Sequence, residues 1–101
     1  MGDQEWMKNT IKLAEKAYVE NEVPVGSIIV KNNKIIGRGY NQKERLGDPT
    51  AHAEMIAISA ASSTIDDWRL NDCSIYITKE PCAMCAGAIV NARISRLVFG
   101  S

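Results

Sequence analysis

The sequence predicts an α/β fold: a mixed sheet that opens with an antiparallel hairpin, continues with parallel strands and is packed by helices. Three observations carry this expectation. An amphipathic helical pattern opens the chain, two apolar runs then flank an Asn-containing tetrapeptide, and the remaining order is helix, strand, helix, strand. Crossover connections between strands of one sheet are right-handed, so two such units should leave the last three strands parallel. The opening hairpin would then add an antiparallel margin.

Met7, Ile11, Ala14 and Tyr18 recur at helical spacing, with Leu13 and Ala17 beside them and Lys8, Lys12, Glu15 and Lys16 on the other face. Asp3 is placed to cap this helix, and Asn21, Val23 and Pro24 end it, because the residue before a proline avoids the helical region. Val25 to Val30 and Ile35 to Tyr40 read as strands. Lys31, Asn32, Asn33 and Lys34 join them, since Asn tolerates the positive φ of a tight hairpin turn. Asn41 to Thr50 reads as a polar loop closing on Asp48, Pro49 and Thr50, where Asp48 or Thr50 can cap a second helix that starts near Ala51. That helix carries Met55, Ile56, Ala57, Ala60 and Ala61 before giving way to Ser62, Ser63, Asp66 and Asp67. Cys73 to Thr78 reads as a strand. Pro81 stands at or next to the first turn of a third helix over Cys82 to about Ala92, and Arg96 to Phe99 forms the last strand.

At 101 residues, with 46% apolar and 24% charged side chains, the chain is expected to form one domain over 1–101, with no repeat or linker to divide it. Twelve Lys plus Arg balance twelve Asp plus Glu. This excludes a polycation held on nucleic acid by bulk charge, although a local basic face could still bind phosphates. No apolar run reaches the 18 or so residues of a membrane helix, and Asp3 and Glu5 stand where a secretory signal would be cationic, so a cytoplasmic protein is expected. The cysteine count is three, an odd number, with Cys82 and Cys85 closely spaced and Cys73 apart. A disulfide framework is therefore disfavoured against a metal or redox pair.

The chemistry concentrates in His52, Ala53, Glu54 at one helix start and Pro81, Cys82, Ala83, Met84, Cys85 at the next. Helices that follow parallel strands begin at the carboxyl edge of the sheet, where α/β proteins build sites. Cys82 and Cys85, three apart on a helix, share a face and can hold one tetrahedral metal, and the positive helix end favours thiolates. His52 makes a third protein ligand. Structural zinc sites are closed by four protein ligands, whereas a catalytic site leaves one place to water. Glu54 is better suited to exchanging a proton with that water, and passing it to a substrate nitrogen, than to filling the open place.

A lone pair of cysteines at this spacing is often a redox couple or half of a zinc ribbon; the ordered His52 and Glu54 favour catalytic zinc. Together these residues resemble the zinc-dependent cytidine and adenosine deaminase superfamily. Within it the likeness is to the bacterial tRNA-specific adenosine deaminases, carried by Glu22, Val23, Pro24, Val25, Gly26; by Asp48 to Glu54; by Glu80 to Ala88; and by Arg96 to Gly100. The resemblance implies a three-layer α/β/α core with one zinc on His52, Cys82 and Cys85, and Glu54 as proton shuttle. The reaction it implies is adenosine-to-inosine conversion at the wobble position of a tRNA anticodon loop. It further implies that Asn41 hydrogen-bonds the flipped base, that Val25 walls the pocket, that backbone near Ala53 reads the base edge, and that the protein is a homodimer. Two departures stand out: Lys79 takes the place of a usually apolar residue, and the sequence stops at Ser101 where family members continue with another strand and C-terminal helices, an abrupt apolar ending that favours a fragment of a longer protein. The alternatives are deamination of a free nucleobase such as guanine or cytosine, and a catalytically silent zinc-stabilised module.

Other conspicuous residues have plainer readings. Cys73 reads as a small core residue, Met84 as core or wall packing, and Trp6 as the anchor of the first helix. Trp68 has no assigned role. Arg38, Lys43 and Arg45 lie near Asn41 and could meet phosphates, but read first as a solvated charged loop.

Overall fold

Two strands, β1 (Gly26–Lys31) and β2 (Lys34–Tyr40), form the expected hairpin in the computed structural model, which describes residues 1–100. Asn32 and Asn33 both take positive φ, 51° and 62°, the geometry whose twist matches paired strands. With β3 (Ser74–Ile77) and β4 (Arg96–Phe99) they make one sheet in the order β2-β1-β3-β4.

The position of β1 corrects the sequence expectation. It pairs antiparallel with both β2 and β3, so it is an interior strand rather than a margin, while β3 and β4 are parallel neighbours. The strands β2, β3 and β4 do point the same way, as expected, but the crossover from β2 passes over β1 before reaching β3. Ile28, Ile29 and Val30 run without polar interruption, as suits a strand covered on both faces. The edge position falls to β2, where Arg38 is exposed.

Helix α1 (Asp3–Val19) covers one face of the sheet, and α3 (Ala53–Ile65) and α4 (Ala83–Asn91) cover the other, giving the three layers. A single turn, α2 (Lys43–Leu46), breaks what read as an irregular loop. Alternation along β1 divides the core. Ile28 and Val30 pack with Trp6 and Tyr76 beneath α1, while Ile29 packs with Ala53, Ala57 and Ile77 beneath α3.

The buried stripe of α1 is Trp6, Thr10, Ala14 and Ala17, not the set led by Met7 and Ile11; Ile11 and Tyr18 are exposed. Close approach is the reason. A Cβ on Gly26 would lie 2.3 Å from the Thr10 carbonyl oxygen, so only small side chains fit where helix and strand touch. Thr10 can be buried there because its hydroxyl donates to the Trp6 carbonyl at 2.8 Å. Asp3 does not cap α1, whose N-cap is Gly2. Its carboxylate instead accepts from the Tyr76 hydroxyl at 2.6 Å and pairs with Arg96, which ties the start of α1 to β3 and β4.

Trp6 and Cys73 are buried as expected. Met84 is exposed, because Cys85 and Ile89, four apart, take the inward face of α4. Ser62 and Ser63 remain inside α3, which ends at an Asp66 in the left-handed region. Among the described residues no helix is long and apolar enough to cross a membrane.

Candidate metal and active site

The chain's direction through the sheet assembles the site. The carboxyl ends of β2 and β3 lie on one edge with the amino end of β1, because β1 is antiparallel to both. Asn41 follows β2, Val25 precedes β1, His52 is the N-cap of α3, and Cys82 is the N-cap of α4. Residues spread from 25 to 85 therefore converge at one edge.

The Nδ1 atom of His52 lies 3.7 Å from the Cys82 Sγ and 3.6 Å from the Cys85 Sγ. All three donor atoms fall within 4.8 Å of one another. Tetrahedral zinc with ordinary bond lengths requires about 3.6 Å between nitrogen and sulfur and about 3.8 Å between sulfurs. Both nitrogen–sulfur distances fit that ion.

The two thiols sit in different surroundings. The N–H of Cys85, aimed at the Cys82 sulfur from the first turn of α4, holds the Cys82 thiol below its ordinary value. Burial, and secondarily the Glu54 carboxylate, push the Cys85 thiol up. A bound divalent cation reverses the second effect, because coordination deprotonates a thiol outright.

Glu54 is only 2% exposed, on the inward face of α3 beside Ala53, Ala57 and Ala61. It lines a cavity of about 190 Å³ together with Val25, Asn41, His52 and Cys82. A buried carboxylate opening into a cavity beside a metal-donor cluster is poised to exchange protons there. Ala53 stands behind this wall, its N–H donating to the Asn41 Oδ1 at 2.7 Å. That bond occupies the amide of Ala53 and fixes the Asn41 side-chain amide at the cavity. It also supplies the start of α3 with an acceptor, since His52 does not cap that helix through a side-chain hydrogen bond. The expected cap at Asp48 is a turn instead: Asp48 Oδ1 accepts from the Thr50 N–H and hydroxyl.

Three further residues belong to the site. Lys43 and Lys79 line the cavity; the first reads from sequence as a solvated loop residue and the second only as a departure from pattern. Glu22 holds the rim. Its carboxylate, 6% exposed, accepts from the N–H groups of Glu44 and Arg45 at 3.0 and 2.8 Å and so pins α2 beside the cavity. Nothing in the spacing of Glu22 announces this, because its partners are backbone groups more than twenty residues away. Arg45 turns from the cavity to pair with Glu20, and Arg38 is not part of the wall.

One imidazole and two sulfurs at the carboxyl edge of an α/β sheet, beside a buried carboxylate, define a metal-binding domain with an acid–base group next to the donors. The chain belongs to the cytidine and deoxycytidylate deaminase family, the profile of whose zinc-binding region matches residues 1–101. The tRNA-specific adenosine deaminase of Buchnera aphidicola subsp. Schizaphis graminum is 48% identical over 99 residues, covering 98% of this chain and 66% of that protein. A structure from work on A-to-I editing by tRNA:A34 deaminases superposes with a TM-score of 0.93 at 39% identity, over 96% of this chain and 70% of the other. The guanine deaminase of Bacillus subtilis superposes with a TM-score of 0.97 at 36% identity, over 100% of this chain and 65% of that one. The chain thus spans about two thirds of the length of such relatives.

Proposed function

We propose that this chain is the catalytic part of a zinc-dependent hydrolase that deaminates adenosine to inosine at the wobble position of a tRNA anticodon. The observation that carries the reading is the convergence of His52, Cys82 and Cys85 on one metal-sized point beside buried Glu54. Similarity to tRNA-specific adenosine deaminases supports the substrate. Zinc on the three donors supplies Lewis-acid activation of water.

The residues of the chain divide the remaining work. Glu54 moves both protons of the attacking water in turn: the first goes to N1 of the adenine as the oxygen adds at C6, and the second goes to the amine, whose C–N bond then breaks to leave inosine and ammonia. Asn41, held by the Ala53 amide, presents its Nδ2 donor to the base, and Val25 forms the apolar wall. In this proposal the Ala53 N–H acts through Asn41, and the neighbouring backbone reads the base edge. A cytoplasmic homodimer belongs to the same reading.

The close superposition of the Bacillus subtilis guanine deaminase favours a second reading, a free nucleobase as substrate. Ammonia release and inosine formation by zinc-loaded protein on an arginine-tRNA anticodon stem-loop, with guanine and cytosine in parallel, separate the two. Inosine in the RNA is expected. Turnover of a free base alone would replace the first reading with the second, and a folded, zinc-replete chain that deaminates nothing would mean either that the part by which the relatives are longer is needed for activity or that the module is silent.

A further inference from the structure

Lys43 and Lys79 stand on two walls of the same cavity, one just beyond β2 and the other just beyond β3. Because β1 lies between those strands, their ends are about 10 Å apart. Among the described residues, neither ammonium lies within 4.0 Å of a carboxylate; the ion pairs are Arg45 with Glu20, Arg69 with Asp67 and Arg96 with Asp3. The carboxylates of the lining are Glu54 and Glu80. Glu54 is buried, while Glu80 is exposed next to Lys79 in the chain.

Both lysines spring from anchored backbone. Glu22 fixes the two amides that follow Lys43, and the Lys43 carbonyl accepts from the Asp48 N–H at 3.1 Å. Thr78, immediately before Lys79, exchanges two bonds with Gly26: its N–H donates to the Gly26 carbonyl and its hydroxyl accepts from the Gly26 N–H, each at 3.2 Å. Two cations outside any ion pair, each on an anchored stem beside a base-sized cavity, suit a ligand with negative charge on either side of the base. A free nucleobase carries no such charge, whereas a nucleotide within a strand has a phosphate on each side.

We propose that Lys43 and Lys79 form a phosphate clamp that holds the two backbone phosphates flanking the base in the cavity. The proposal deepens the deaminase reading of this site and rests on it for the identity of the strand as RNA. Phosphate contacts from lysine position a nucleic acid without reading sequence and make its affinity salt-dependent.

The test is equilibrium binding of a fluorescent anticodon stem-loop to zinc-loaded protein carrying Glu54→Gln, between about 50 and 200 mM salt. Added Lys43→Gln or Lys79→Gln should each lower the slope of log K against log salt by about 1, and Arg at either position should restore it. Lys8→Gln, exposed on α1 in the opposite layer, should leave the slope within error. Competition by adenosine 5′-monophosphate against adenosine distinguishes a mononucleotide phosphate from the strand backbone: a phosphate-dependent gain removed by one lysine change alone would overturn the two-sided clamp. An unchanged slope in the folded double variant, or no RNA binding by the parent protein, would also overturn it. If the slope falls but Glu54-intact protein makes no inosine, the clamp stands and the reaction falls. Inosine formation with an unchanged slope means that the reaction stands and the clamp falls.

Discussion

The Oδ1 of Asn41 accepts the Ala53 N–H at 2.7 Å, joining the residue after β2 to the first turn of α3. Both partners are buried, so one bond serves the helix start and orients the side-chain amide. Asn41→Ala should leave that N–H without an acceptor and cost about 1–3 kcal/mol in chemical denaturation. Asn41→Asp keeps an acceptor but removes the Nδ2 donor. It should unfold near the wild-type midpoint while losing deamination; a variant that remains fully active would remove the base-contacting role.

Glu54→Gln keeps the size of a side chain that is almost fully buried but cannot cycle a proton. Zinc content by atomic absorption should remain at one per chain, and kcat should fall about a hundred- to ten-thousand-fold. Activity within a few-fold of wild type would eliminate Glu54 as the shuttle.

Cys73 and Cys85 are both fully buried, but only Cys85 faces His52. Cys85→Ala should lose zinc and thermal stability together, and chelation of the wild type should lower its melting temperature in the same way. Cys73→Ala should destabilise the fold while retaining zinc. Equal zinc loss in the two variants would show that the metal responds to core packing and not to ligation by Cys85.

Gly39 lies against the backbone of α3. A Cβ there would sit 2.3 Å from the Ala53 carbonyl oxygen and 2.7 Å from the Ala57 N, neither of which can rotate aside. Gly39→Ala should cost about 1–3 kcal/mol by overpacking. It should also weaken zinc binding, because α3 carries His52 at its start. Calorimetry with zinc titration checks both effects; lower stability with unchanged metal affinity would break the link between this contact and the site.

His52, Glu54, Cys82 and Cys85 are legible as a group because their spacing is local: two residues separate the sulfurs and one separates His52 from Glu54, each motif at a helix start. The hairpin turn is legible for the same reason, since the two asparagines specify their own φ. The buried face of α1 is not, because hydrophobicity favours Ile11 while contact with Gly26 favours Thr10 and Ala14.

The order of elements and the two short motifs that carry the metal donors and the carboxylate are each written in a few consecutive residues, so the amino-acid sequence suffices for them. Packing of the whole chain places β1 inside the sheet, brings Glu22 to the amides of Glu44 and Arg45, and sets Lys43 and Lys79 in one cavity. Strand order and long-range backbone hydrogen bonds depend on which surfaces bury one another when the chain collapses. No local pattern of residues specifies that choice.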